Sequence, residues 1–212
     1  MALTVTMVPA AFAADTADSN YTTCMAAIQE QKVIQDQAHQ TAESLRQKGY
    51  DDSSAYIQAA QSTWWAAQDE IVAYQKLSQY TDEDIRILTT AVFYEAGHTT
   101  EQRREDVAQV VLNRVADSRF PDTVKGVITQ PGQYATKYAT QAATDSIKSA
   151  DSQNGTYYYA MCEAAVKKAM MGQVDMPSNV LYQANFAQGK GVWQSVYFNS
   201  GWYASTSYCC YG

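Results

Sequence analysis

The sequence predicts a mainly α-helical protein: an antiparallel helical hairpin, then a larger helical body that ends in a small β or irregular part. Three observations carry this expectation. Residues 21–79 contain a single glycine and no proline, and their apolar or small side chains recur in steps of three and four. Further along, three more stripes keep helical spacing and end near helix-stop residues. The last forty or so residues lose that period and carry Tyr, Trp and Gly with alternating apolar positions: Val180 and Tyr182, then Val192, Ser195 and Tyr197.

The first helix of the hairpin shows its seam as Cys24, Ala27, Ile34, Ala38, Thr41 and Leu45, interrupted by Gln31. Gly49 is placed to stop it, and Asp52 or Ser53 to cap the next. The returning helix repeats the step as Ile57, Ala60, Trp64, Ala67, Ile71 and Tyr74. Its alanines allow close approach, and Trp64 with Trp65 are expected to supply most of the burial. Such a hairpin serves as a spacer or as a docking element for a protein partner.

Thr81-Asp82-Glu83-Asp84 has the form of a capping box, and Ile85, Leu88, Ala91 and Val92 follow it as one stripe. Gly97 is placed to end that helix at the position just past its C-cap. A second helix is predicted from about Thr100 to Asp117, burying Val107, Val110, Val111 and Val115. Arg119-Phe120-Pro121-Asp122 marks a turn before Thr123–Thr129. Thr140 to Gly155 is polar and reads as a loop. A third helix runs from about Tyr157 to Met171 and stops at Gly172.

Composition removes several functions. The 212 residues carry a net charge of −7, and the only short basic clusters are Arg103-Arg104 and Lys167-Lys168. A nucleic-acid partner needs more clustered positive charge than that. Two histidines and four cysteines form no Cys-x-x-Cys, His-x-x-x-His or His-Glu-x-x-His, so no metal site or cofactor is expected. Sixteen tyrosines offer stacking faces with hydroxyls, which suit both a half-wet core and a sugar-binding cleft.

Ala2 to Ala14 read as the apolar part of a secretory signal closing on Ala11-Phe12-Ala13-Ala14. The expected division is therefore a signal remnant at 1–14, the hairpin at 15–80 and the main domain at 81–212, with no transmembrane span in the mature chain. Export permits disulfides. Adjacent Cys209 and Cys210 hold their Cα atoms about 3.8 Å apart, below the usual disulfide range. Each is thus expected to pair with one of Cys24 and Cys162.

Glu95 differs from the other glutamates. Val92, Phe93 and Tyr94 precede it, and no cation stands three or four residues before it. It lies in the last helical turn, where the negative end of the helix dipole opposes a carboxylate. Apolar surroundings and the dipole both raise its pKa, as a proton donor near neutral pH requires.

Tyr94-Glu95-Ala96-Gly97, Val110-Val111-Leu112-Asn113-Arg114-Val115, Arg119-Phe120-Pro121-Asp122-Thr123-Val124-Lys125-Gly126-Val127-Ile128 and Gln130-Pro131-Gly132-Gln133-Tyr134 resemble, in residue type and spacing, the SleB-type cell wall hydrolase family. The resemblance runs from about Ile85 to Tyr138. It implies a compact lysozyme-like domain that cuts peptidoglycan glycan strands, in the wall or the spore cortex. Members include spore-cortex-lytic transglycosylases. The family's catalytic glutamate falls on Glu95. Thr99 stands where a second acidic residue is common, and Arg104-Glu105-Asp106 replaces a usual Gln-Val-Ala.

Candidate sugar-binding residues are Tyr94, Gln133, Tyr134, Tyr182 and Gln183, whereas Asn113 and Arg114 read as fastening the second helix to a loop. A lytic transglycosylase needs one carboxylate; a hydrolytic muramidase needs two at a set separation, and Glu101, Glu105 or Glu163 would then be the second. The alternative of another class is a non-catalytic wall-binding or scaffold protein. The acidic chain gains nothing electrostatically from an anionic wall, so recognition rests on stacking and hydrogen bonds.

Overall fold

A computed structural model describes residues 19–149, 153–184, 191–197 and 205–210, with side chains described up to Ser195. The expected export segment at 2–14 lies outside the described residues. The helices are α1 (Ser19–Gln47), α2 (Ala55–Leu77), α3 (Asp82–Ala96), α4 (Glu101–Ala116), α5 (Val124–Thr129), α6 (Gln141–Ser149) and α7 (Gln153–Met170), with a 3-10 turn at Thr136–Ala139. Three short strands follow, β1 (Val180–Ala184), β2 (Gly191–Tyr197) and β3 (Ser205–Cys210). The mainly α expectation holds, as does the small β part at the end.

α1 and α2 pack as the antiparallel hairpin, turning at Gly49, whose φ of 87° suits glycine. Ser54, one residue past the expected pair, caps α2 by accepting from the Tyr56 amide. The buried stripe of α1 is shifted by one residue from the expected seam: Ile28 and Ala42 are buried and Gln35 half-buried, whereas Ile34 and Thr41 are exposed and Ala27 is half-buried. Gln35 Nε2 donates to Gln68 Oε1 at 3.0 Å across the hairpin, so polar residues keep to the seam by bonding each other.

The tryptophans depart from expectation. Trp65 is 62% exposed and Trp64 half-buried, while Ile57, Ala60, Ala67 and Ile71 are buried. Both tryptophans line a groove beside Ala38, Ala42 and Ala60 and leave the centre of the seam to the smaller side chains. The base of the hairpin is tied to the body. Asp82 accepts from the amides of Ser19 (3.0 Å) and Asn20 (3.2 Å), and Asn20 Nδ2 donates to the carbonyls of Leu77 and Tyr80.

α3 is the central helix. Its capping box forms at Thr81 and Asp84, and Ile85, Ile87, Leu88, Thr89, Thr90, Ala91 and Val92 are all buried against α4, α5 and α7. A helix buried on nearly every side is fixed in place, and so is its end. That end differs from expectation: Gly97 keeps a helical φ of −53°. Glycine is needed there because a Cβ would lie 2.5 Å from the Phe93 carbonyl oxygen.

The stretch read as a loop contains α6. Ala143, Thr144 and Ile147 lie on its buried face, and Thr144 Oγ1 is 2.8 Å from Thr90 Oγ1. Arg86 donates to Thr144 Oγ1 and to the carbonyls of Thr140 and Ala139. Tertiary partners on α3 thus hold a helix that its own polar sequence does not announce.

The sheet order is β1-β3-β2, all antiparallel, with Tyr182 opposite Cys209. α4 carries it: Asn113 Nδ2 donates to the carbonyls of Pro177 and Val180, each at 3.0 Å. Of the expected disulfide residues, Cys24 is buried with its Sγ 3.6 Å from Asn20 Oδ1. Cys162 is a free thiol in the core, pushed up to about 12 by burial, which departs from the disulfide expected there. The side chains of Cys209 and Cys210 lie outside the described residues.

Candidate active site

Where α3 ends, four segments converge on a cleft of about 330 Å³. α3 contributes Glu95, α4 contributes Arg114, the turn after α5 contributes Gly132, Gln133 and Tyr134, and β1 contributes Tyr182, Gln183 and Ala184. Gly132 has a φ of 77°, the left-handed conformation that lets the Pro131-Gly132 turn present Gln133 and Tyr134 together. Four of the five candidate sugar-binding residues therefore share one cleft with Glu95. The fifth, Tyr94, does not line it; its ring stacks on Tyr138 at 4.7 Å, with Lys137 Nζ 5.2 Å from its centroid.

Glu95 is held above the usual carboxylate range by burial. A hydrogen bond from the Tyr138 hydroxyl and the nearby Arg103 guanidinium pull the other way. Tyr134 is pushed up to about 12, chiefly by burial, with Arg114 lowering it and Glu95 raising it. Two polar atoms of the cleft wall, Tyr134 Oη and Gln183 Oε1, are buried without a hydrogen-bond partner among the described residues. A buried polar group left unpaired costs about 1–3 kcal/mol, which a bound ligand recovers by pairing with it.

Arg114 both fastens and lines. Its Nε donates to the Leu181 carbonyl at 2.6 Å, the helix-to-loop tie expected of it. Its guanidinium also lies 5.3–5.5 Å from the rings of Phe120, Tyr134 and Tyr182, so one buried cation sets the positions of two cleft aromatics. This second role has no sequence signal, because it depends on β1 returning beside α4.

The other carboxylates considered for catalysis face elsewhere. Glu105 pairs with Lys168 at 2.6 Å, Glu101 lies 3.9 Å from the same lysine, and Glu163 pairs with Lys167 at 2.5 Å. Thr99, at the position of a common second acid, gives its hydroxyl to the Ala96 carbonyl at 2.6 Å. His98 is exposed, its ring edge-on to Phe93 and Tyr158. Among the described residues no group of His, Cys, Asp and Glu is placed to hold a metal ion, and no helix is long and apolar enough to cross a membrane.

Comparison with known proteins bears on the family. The chain is 34% identical over 108 residues to a spore cortex-lytic enzyme of Halalkalibacterium halodurans, covering 44% of this chain and 33% of that enzyme. A spore cortex-lytic enzyme of Bacillus cereus is 34% identical over 100 residues, covering 42% and 39%, and one of Bacillus subtilis is 27% identical over 119, covering 51% and 39%. The matches thus span between a third and two fifths of those relatives' lengths. No solved structure matches the chain. The profile of the family described as Cell Wall Hydrolase matches residues 99–206, from just past Glu95 through Arg114, Gln133, Tyr134, Tyr182 and Gln183. With half its length under that profile and the same stretch walling the cleft, the chain belongs to the cell wall hydrolase family.

Proposed function

We infer that the protein is an exported enzyme acting at the cell wall or spore cortex, which cleaves peptidoglycan glycan strands as a lytic transglycosylase with Glu95 as its single acid and base. The observation that carries the reading is the distribution of acids. Glu95 is the one carboxylate among the described cleft-lining residues. The opposite walls come from stretches with no Asp or Glu to offer: none occurs from Thr123 to Thr144, nor from Met176 to Gly212. Hydrolysis by two carboxylates needs a partner across the bond to serve as nucleophile or to activate water. Among the described residues none stands there.

One carboxyl group suffices for the transglycosylase route. Protonated Glu95 gives its proton to the glycosidic oxygen as the bond from C1 of N-acetylmuramic acid to that oxygen breaks. The resulting carboxylate takes the proton of the same sugar's C6 hydroxyl, whose oxygen bonds to C1 and closes a 1,6-anhydro ring. Glu95 ends protonated, as it began, and water is not consumed. Burial favours the neutral acid needed at the outset. Gln133, Tyr134, Tyr182 and Gln183 suit the role of holding sugar rings and their polar substituents.

The test is product analysis. Purified protein is expected to clear a peptidoglycan suspension and release fragments ending in 1,6-anhydro-N-acetylmuramic acid, read by mass spectrometry. Glu95→Gln is expected to lose clearing at least a thousandfold while still binding the polymer. Reducing ends in place of anhydro ends would overturn the transglycosylase assignment. Equal inactivity of both proteins, with binding retained, would favour the wall-binding reading.

A further inference from the structure

Five aromatic rings run in unbroken contact from the end of α3 to the start of α7. Tyr94 meets Phe93 edge-on at 5.8 Å, and Phe93 meets His98 at 5.6 Å. His98 then meets Tyr158 at 4.4 Å, and Tyr158 meets Tyr157 at 5.4 Å. Exposure rises along the row. Phe93 packs against the main core cluster, Tyr158 is half-buried, and His98 and Tyr157 are exposed. Edge-on contacts leave ring faces free, and rings this open to solvent add little to the core.

The row starts beside the acid. His98 follows Glu95 by three residues, close to one helical turn, and Gly97 between them keeps a helical φ of −53°. The cleft of about 330 Å³ is near the bottom of the size range for small-ligand pockets. It takes a short piece of a polymer, so the rest of a bound strand must leave across the surface at its rim.

We propose that His98, Tyr158 and Tyr157 form an outer platform on which a glycan strand leaving the Glu95 cleft lays its next sugar rings. The inference rests on that cleft as the glycan site. Sugars present C–H faces that dock on aromatic rings, and hydroxyl and acetamido groups that phenol oxygens and imidazole nitrogens bond. The charges suit the same occupant. Muramic acid carries a carboxylate or a carboxylate-bearing stem peptide. None of the five ring residues is acidic, and exposed Lys137 stands 5.2 Å from the Tyr94 centroid at the inner end.

The experiment measures binding to the full chain carrying Glu95→Gln, so that no strand is cut. The probes are stem-free glycan strands, prepared by amidase digestion of peptidoglycan and sorted into long strands and the tetrasaccharide. Long strands are expected to bind at least about tenfold more tightly than the tetrasaccharide. Adding Tyr157→Ala or His98→Ala should cut that ratio about threefold to tenfold each. Tyr157→Trp, which keeps an aromatic face, should preserve it.

Equal affinity for both probes in the parent, or an unchanged ratio in the alanine variants, would overturn the platform. So would a loss confined to strands that still carry stem peptides, which makes the peptide the occupant. A change of oligomeric state in Tyr157→Ala would overturn it too, marking the face as a contact between copies. Failure of anhydro products to appear counts against the transglycosylase reading alone, since the length dependence of binding still decides the platform.

Discussion

The Arg114 guanidinium lies 5.4 Å over the Tyr182 ring while its Nε holds the Leu181 carbonyl at 2.6 Å. Backbone and side chain of β1 are thus fixed to α4 by one buried cation. Arg114→Lys keeps the charge but loses the planar fork and the Nε donor. It leaves the Leu181 carbonyl without its donor, and a loss of about 2–3 kcal/mol is expected by urea denaturation. Because Tyr182 and Gln183 lose their support, the Michaelis constant for soluble glycan strands should rise severalfold, with a smaller change in kcat.

Asp106 gives the protein a pH-dependent weakness away from the cleft. Its side chain is fully buried on α4, with Oδ1 accepting from Gln102 Nε2 at 2.9 Å and Oδ2 unpartnered among the described residues. Burial chiefly raises it from 3.8 to about 6; Gln102 opposes this, Glu105 adds to it, and Arg103 opposes it. Between those two values the folded protein keeps a proton that the unfolded chain has lost. Stability contributed by this group therefore falls as pH rises through that window, then levels off. Asp106→Asn should make the slope shallower, leaving the part that Glu95 contributes, and be more stable than wild type at pH 8 by on the order of 2 kcal/mol. Urea melts at pH 4, 6 and 8 measure this; a slope in the variant as steep as that of the wild type contradicts it.

The residues that the sequence makes legible are those whose role is local. The capping box at Thr81, the helix-end position of Glu95 and the Pro131-Gly132 turn each depend on a few neighbours, and each forms. What escapes a sequence reading depends on distant chain. α6 is held by Arg86 and Thr90 of α3, more than fifty residues upstream. His98 meets Tyr158 because α7 returns beside α3, and Arg114 gains its second role from β1. The α1 seam misleads for another reason: alanines on both flanks make neighbouring faces look alike, so Ala27 and Ile28 are separated only by what α2 presents.

The hairpin offers the sharpest test of that last point, because pattern and packing assign its stability to different residues. Trp65 is large, adjoins the seam and is 62% exposed, its ring edge-on to Trp64 at 4.8 Å. Ile57 is smaller and completely buried in a satellite cluster with Ala42 and Ala60, against Leu45. Removing an exposed indole forfeits little burial, so Trp65→Ala should change unfolding free energy by less than about 0.5 kcal/mol. Ile57→Ala opens a cavity in a cluster whose other members, Ala42 and Ala60, are too small to fill it. A loss of about 2–4 kcal/mol is expected. Hydrogen exchange of the α1 and α2 amides localises the effect: Ile57→Ala should speed exchange in the hairpin while amides of α3 stay protected. A larger penalty at Trp65 than at Ile57 would mean that the indoles, and not the alanine-lined seam, hold the two helices together.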